Sequence, residues 1–182
     1  MSKAIGMVEY LTVSTGVVAA DTMVKTADVE IIEAQTVCPG KYIVIISGEL
    51  SAVRAAVDAS KALYDEKLID SFVLGNPDES IFSAIYGSTT LGEVDALGVL
   101  ETYSAASIIV AADTAAKTAE VDLIELRIAK GMCGKSYMFI TGSVASVTAA
   151  IERTKSQMED DGFFLDSSII AKPDEKLWQT LI

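Results

Sequence analysis

Histidine is absent from the 182 residues, and no other absence removes as much chemistry. Ser-His-Asp and Cys-His catalysis, His-ligated zinc and proton transfer by an imidazole are all excluded. Cysteine is scarce. Cys38 and Cys133 cannot build a disulfide framework, and one chain alone cannot supply the three or four thiolates of a zinc or iron–sulfur site. Bases are few: 14 Lys and Arg stand against 26 Asp and Glu, a formal net charge of −12. A surface that acidic repels phosphate backbones and anionic lipid, so neither nucleic acid nor a membrane is an expected partner. No apolar run approaches the roughly 18 residues of a membrane span. The start, Met1-Ser2-Lys3-Ala4-Ile5-Gly6, lacks the apolar stretch and cleavage site of a signal peptide, so an intracellular, reducing environment is expected.

What the chain does have is an internal repeat. Ala4-Ile5-Gly6-Met7-Val8-Glu9 matches Ala96-Leu97-Gly98-Val99-Leu100-Glu101, an offset of 92 residues. The same offset pairs Ala19-Ala20-Asp21-Thr22 with Ala111-Ala112-Asp113-Thr114, and Lys25-Thr26-Ala27 with Lys117-Thr118-Ala119. A two-residue insertion in the second copy follows, so Gly40-Lys41 meets Gly134-Lys135; two more are added before Asp70 meets Asp166 and Pro77 meets Pro173. Two domains are expected, 1–92 and 93–182, joined through Gly87-Ser88-Thr89-Thr90-Leu91-Gly92.

The first copy reads as a short apolar strand over 5–11 and a helix over 17–27, then an alternating strand over 29–36. Pro39-Gly40 marks a turn before a buried strand over 42–47. A helix over 50–67 carries Val53, Ala56, Val57 and Leu63 on one stripe, and a strand over 68–74 and a short closing helix over 78–85 complete the unit. The order β-α-β-β-α-β-α predicts an α+β (α/β sandwich) fold: two tandem ferredoxin-like, split-βαβ domains, each an antiparallel four-stranded sheet with both long helices on one face. Apolar residues on both sides of the strands require a cover for the other face too, from the second domain or from a subunit partner.

Gly-Met-Val-Glu-Tyr near the start, Ala-Ala-Asp-Thr-Met-Val-Lys-Thr-Ala-Asp-Val from residue 19 and Pro-Gly-Lys-Tyr-Ile-Val-Ile-Ile-Ser-Gly-Glu-Leu from residue 39 resemble the bacterial microcompartment (BMC) shell domain. The second copy carries the same run, and the likeness extends from Ala4 to Leu181. More narrowly, Cys38-Pro39-Gly40-Lys41 is similar to the propanediol-utilisation type of tandem shell protein. The resemblance implies a structural protein, not an enzyme: a homotrimer that mimics a hexagonal hexamer and meets other shell proteins edge to edge in the bacterial cytoplasm. It also implies that the loop between the second and third strands lines an axial pore. Cys38 from three subunits would hold one [4Fe–4S] cluster per trimer there, passing electrons across the shell to or from an encapsulated or cytosolic redox enzyme.

Each candidate residue also has an ordinary reading. Cys38 sits between a strand and a Pro-Gly turn, where a cysteine is usually a plain thiol; threefold symmetry is what would turn it into a ring of ligands. Val37, Pro39 and Gly40 complete that pore loop, with Met132, Cys133 and Gly134 in the second copy. Aligned, Cys38 faces Met132 and Cys133 faces Pro39, so the loops are unlike. Cys133 is expected to be a buried or spectator thiol, the alternative being an added ligand. Lys25 and Lys117, late in matching helices, complement the helix dipole on the ordinary reading and lie on the tile edge on the family's. Asn76 and Lys172 match a family edge position where arginine is common, and Asn76 departs from that basic pattern. The glycines form no phosphate-binding loop. Glu9 and Glu101 read as scaffold carboxylates, and Trp178 as an anchor for the last helix. Two other functions stay open: a metal-free tile with a metabolite-conducting pore, and a trimeric regulatory module that binds a small molecule.

Overall fold

Runs of β-branched and aromatic residues make the strands, and alanine-rich stretches with apolar residues at helical spacing make the helices. The computed structural model describes residues 4–90, 94–159 and 161–181, so Leu91 and Gly92 of the expected joint lie outside the described residues. The first copy comprises β1 (Ala4–Tyr10), α1 (Val13–Thr26), β2 (Val29–Val37), β3 (Lys41–Gly48), α2 (Leu50–Tyr64), β4 (Leu68–Leu74) and α3 (Ser80–Ile85). The second comprises β5 (Ala96–Thr102), α4 (Ala105–Thr118), β6 (Val121–Arg127), β7 (Ser136–Gly142), α5 (Val144–Glu159), β8 (Phe164–Ile170) and α6 (Glu175–Leu181). Each copy forms a four-stranded antiparallel sheet, β2-β3-β1-β4 and β6-β7-β5-β8, which is the expected split-βαβ topology.

Two boundaries depart from the sequence expectation by three residues or more. Helix α1 begins at Val13, four residues before Val17, across Ser14, Thr15 and Gly16. Those residues are weak helix formers, and packing overrides propensity: a Cβ at Gly16 would lie 2.4 Å from the Tyr42 side chain, so the helix approaches β3 there as only glycine permits. Helix α2 ends at Tyr64, and residues 65–67 tighten into a 3-10 turn.

The first copy buries Val8, Tyr10, Met23, Val44, Ile46 and Val53 between its sheet and its two long helices. A larger core runs through both copies, joining Ile5, Met7 and Ile45 of the first to Ile109, Leu123 and Met138 of the second. Helix α3 completes this seam by leaning on β6, with Ile81 fully buried. The second domain thus covers the face that α1 and α2 leave open.

Polar pins cross the same seam. Glu9, at a bulge of β1, accepts the amide of Ala105 at the first turn of α4, 2.8 Å away. Asp70 accepts from the hydroxyls of Ser104 and Ser107, while the amide of Ser71 clasps its other oxygen at 2.8 Å. Both carboxylates sit at the N-terminal end of α4, where the helix dipole and free amides favour negative charge. Further along α4, Asp113 accepts the amide of Asp78 at 2.9 Å.

Candidate functional site

The two β-β loops named by the sequence come together. The first runs from Val37 through Cys38, Pro39 and Gly40 to Lys41, closed by the Gly40 amide donating to the Val37 carbonyl at 2.9 Å. The Cys38–Pro39 peptide is cis. The second loop, two residues longer, turns through left-handed backbone at Ala129, Gly131, Cys133 and Gly134. Its Ala129 amide is held by Ser136 Oγ at 3.0 Å.

Three contacts join the loops. The Cys38 amide donates to the Ala129 carbonyl at 3.1 Å. Gly134, with φ +87°, presses so close that a Cβ there would lie 3.2 Å from the Cys38 carbonyl oxygen and 3.1 Å from Lys41 Nζ. Lys130 pairs with Glu33 of β2 at 2.9 Å, and Gln35 donates to the same carboxylate. Together they border a concavity of about 500 Å³, lined by residues 36–40 with Lys130 and Gly131.

Lys41 ties this rim to the seam. Its ammonium donates to Glu9 Oε1 at 2.9 Å while Glu9 Oε2 takes the Ala105 amide, so one buried carboxylate anchors both the end of the β2–β3 loop and the start of α4. Burial pushes the Glu9 carboxyl above its ordinary 4.5, against the opposing pull of Lys41 and the Ala105 amide. Glu9 is therefore a hydrogen-bonded scaffold residue, fully enclosed.

Cys38 is half-buried at the rim, as its place between strand and turn required. Cys133 is exposed, so of the expected buried or spectator thiol the buried reading does not hold. Its left-handed backbone, φ +52°, sits at a loop tip that the extra two residues push outward, beyond the reach of the core. Among the described residues, no three Cys, Asp or Glu side chains gather as a metal site. A soft, half-buried thiol beside a shared concavity suits iron–sulfur ligation, but only when several copies contribute one each.

The four edge candidates divide unequally. Lys25 pairs with Asp21 on exposed α1 at 2.6 Å, and Lys172 is exposed. Lys117 instead closes the seam: it pairs with Asp113 at 2.8 Å and donates to the Asn76 carbonyl at 2.6 Å. Asn76 thus serves through its backbone, where the identity of the side chain matters less. Asp70, Asp113, Ser104 and Ser107 were not among the candidates. The recurrence of Asp21 as Asp113 and of Asp70 as Asp166 is the signal that could have found the two acids; the serines recur only as a hydroxyl at the same offset, opposite Thr12 and Thr15.

Fold and loop pairing define a tandem shell-type protein, and the comparisons agree. The BMC domain model matches residues 4–77 and again 96–173, so the chain belongs to the BMC-domain family of bacterial microcompartment shell proteins. It is 35% identical to bacterial microcompartment shell protein PduT of Citrobacter freundii over 182 residues, covering 100% of this chain and 99% of that one. A crystal structure of a microcompartment protein from Desulfitobacterium hafniense DCB is similar with a TM-score of 0.86 and 42% identity, over 98% of this chain and 99% of that one. The fused permuted hexameric shell protein MSM0275 shares the fold, with a TM-score of 0.67 at 22% identity over 87% and 84% of the two chains. No helix among the described residues is long and apolar enough to cross a membrane.

Proposed function

We propose that three copies of this chain close into a flat tile of the microcompartment wall. Their three Cys38 thiolates, meeting at its axis, would hold a [4Fe–4S] cluster that carries electrons across the shell. The role is structural and conductive, not catalytic, and the partners are neighbouring shell proteins at the tile's edges and a redox enzyme on one side of the wall. The observation that carries this reading is the placement of Cys38, half-buried on a loop fastened to its counterpart loop and facing their common concavity. When bound, the cluster supplies one-electron transfer; three thiolates leave its fourth iron free for water or another ligand. The chain's own part is to hold the thiol still. The Cys38 amide is anchored to Ala129, and Lys41, at the loop's far end, is anchored to Glu9.

The test is anaerobic reconstitution with iron and sulfide, followed by native mass and electron paramagnetic resonance. The expected result is a trimer with about one cluster and a reduced-state signal, both lost in Cys38→Ser while the trimer persists. A colourless trimer after reconstitution overturns the cluster and leaves a tile with an open axial pore. A species of one subunit's mass overturns the tile.

A further inference from the structure

Where β4 of the first domain passes the N-terminal half of α4 and the end of α5, a cleft of about 370 Å³ is left between the two domains. That is room for a small molecule. Its floor is apolar: Phe72 and Met158 are buried, with Val110 and Phe163 partly buried beside them. Its charged groups are both carboxylates, Asp70 of β4 and the exposed Asp161 in the turn after α5. Among the described residues, no Lys or Arg lines it.

Strand register shows that the repeated fold does not impose this floor. The Leu11 amide donates to the Lys67 carbonyl at 2.9 Å, and the Tyr103 amide to that of Phe163 at 2.9 Å, so Lys67 is the counterpart of Phe163. Met7 pairs with Phe72 across β1 and β4, and Val99 with Ser168 across β5 and β8, so Ser168 is the counterpart of Phe72. Exchanging the copies would put a lysine and a serine where the cleft has two phenyl rings. Only β4 of the first domain against α4 and α5 of the second gives carboxylates over an aromatic floor.

Asp70 is held ready for a further donor. Its Oδ2 accepts from the hydroxyls of Ser104 and Ser107, while Oδ1 takes only the Ser71 amide, at 2.8 Å, and keeps a lone pair. We propose that the cleft binds a small aliphatic amine as its ammonium ion. The ammonium donates to Asp70 Oδ1 and to Asp161, and the alkyl chain covers Phe72, Val110, Met158 and Phe163. Each half of such a ligand answers one half of the cleft. A bare cation would leave the floor wet, an alcohol would bring no charge, and a carboxylate would be repelled. The net charge of −12 draws cations to the surface in general. This site goes beyond the tile and cluster reading and depends on neither, because every lining residue comes from one chain. A bound amine would bridge β4 of one domain and α4 of the other.

The experiment titrates the full-length chain calorimetrically with n-butylammonium chloride. The comparisons are 1-butanol, sodium butyrate and ammonium chloride at matched ionic strength. The expected result is saturable binding of butylammonium, one per chain, with a Kd of about 1 mM for so small a ligand. Amide chemical shifts should move at Ser71, Ser107 and Phe163. Phe163→Lys, which installs the first copy's residue, should weaken binding by about tenfold or more, through charge repulsion and loss of the apolar floor. Asp161→Asn should weaken it about twofold to fivefold, as for an exposed ion pair, with unchanged circular dichroism. Absence of saturable binding, or a Phe163→Lys chain that binds as the native one does, would overturn the site. Equal binding of 1-butanol would overturn the part given to the carboxylates, and equal binding of ammonium chloride that given to the floor; either result ends the amine assignment.

Discussion

The carboxylate of Glu9 and the amide of Ala105, 96 residues apart in sequence, meet at 2.8 Å across the junction of the two domains, and Lys41 completes the arrangement from the β2–β3 loop side. A fully buried carboxylate with two such partners is costly to lose, because truncation strands the largely buried Lys41. Glu9→Ala should destabilise the chain by about 3 kcal/mol, read from the shift in the urea unfolding midpoint, with Glu9→Gln costing less because an acceptor for Ala105 is kept.

The same residue sets a pH slope. Its folded carboxyl lies above the ordinary 4.5, so the folded state holds this proton at pH values where the unfolded state has released it. Its protonation-linked contribution is fully present below pH 4.5 and is lost as pH rises through the folded value. Urea titrations at a series of mildly acidic pH values should show this fall in the native chain and a flatter profile in Glu9→Gln. Equal slopes would refute the assignment.

Tyr137 offers a second titration, on the alkaline side. Burial, together with its hydroxyl donating to Glu125 at 2.8 Å, pushes the phenol up to about 12. Its stabilising contribution is complete below pH 10 and is lost as pH climbs through about 12. Ultraviolet phenolate absorbance should reveal late titration of Tyr137 alongside Tyr10, whose phenol burial also raises; the Tyr137 component should be absent in Tyr137→Phe and move towards 10 in Glu125→Gln.

Gly16 tests packing against propensity. Alanine in a helix interior normally gains about 1 kcal/mol over glycine. Here a Cβ would collide with Tyr42 at 2.4 Å, so Gly16→Ala should instead lose roughly 1–3 kcal/mol by the usual cost of overpacking. Thermal unfolding decides the sign.

The second β-β loop offers a paired comparison. Gly131 and Gly134 both have positive φ, +73° and +87°, but only Gly134 presses on Cys38 and Lys41. Gly131→Ala should cost about 1 kcal/mol from backbone strain alone. Gly134→Ala should cost more and should also speed hydrogen exchange at the Cys38 amide, which is bonded to Ala129.

How much of this could be read from the residues follows from where the information lies. The sheet order was legible because the repeat appears twice and its strands are β-branched and bounded by turn residues, as at Tyr42 to Ser47 before Gly48. The early start of α1 was not legible, since Ser14-Thr15-Gly16 looks like a linker until Tyr42 is seen against it. Cys38 was found at the rim because a Pro-Gly turn announces a loop tip. The exposure of Cys133 was hidden, because an insertion reveals the length of a loop and not its direction. Lys25 and Lys117 look interchangeable in the alignment, yet Lys25 pairs with Asp21 of its own helix while Lys117 also holds the Asn76 carbonyl, a difference that arises only when two like domains pack against each other in one order.

The two extra residues in the second loop have an evolutionary consequence. A protein built from one repeated domain must copy every mutation to every position around its ring. Here the two rims are written separately in the gene, so selection can lengthen one, or place a thiol on it, without disturbing the other.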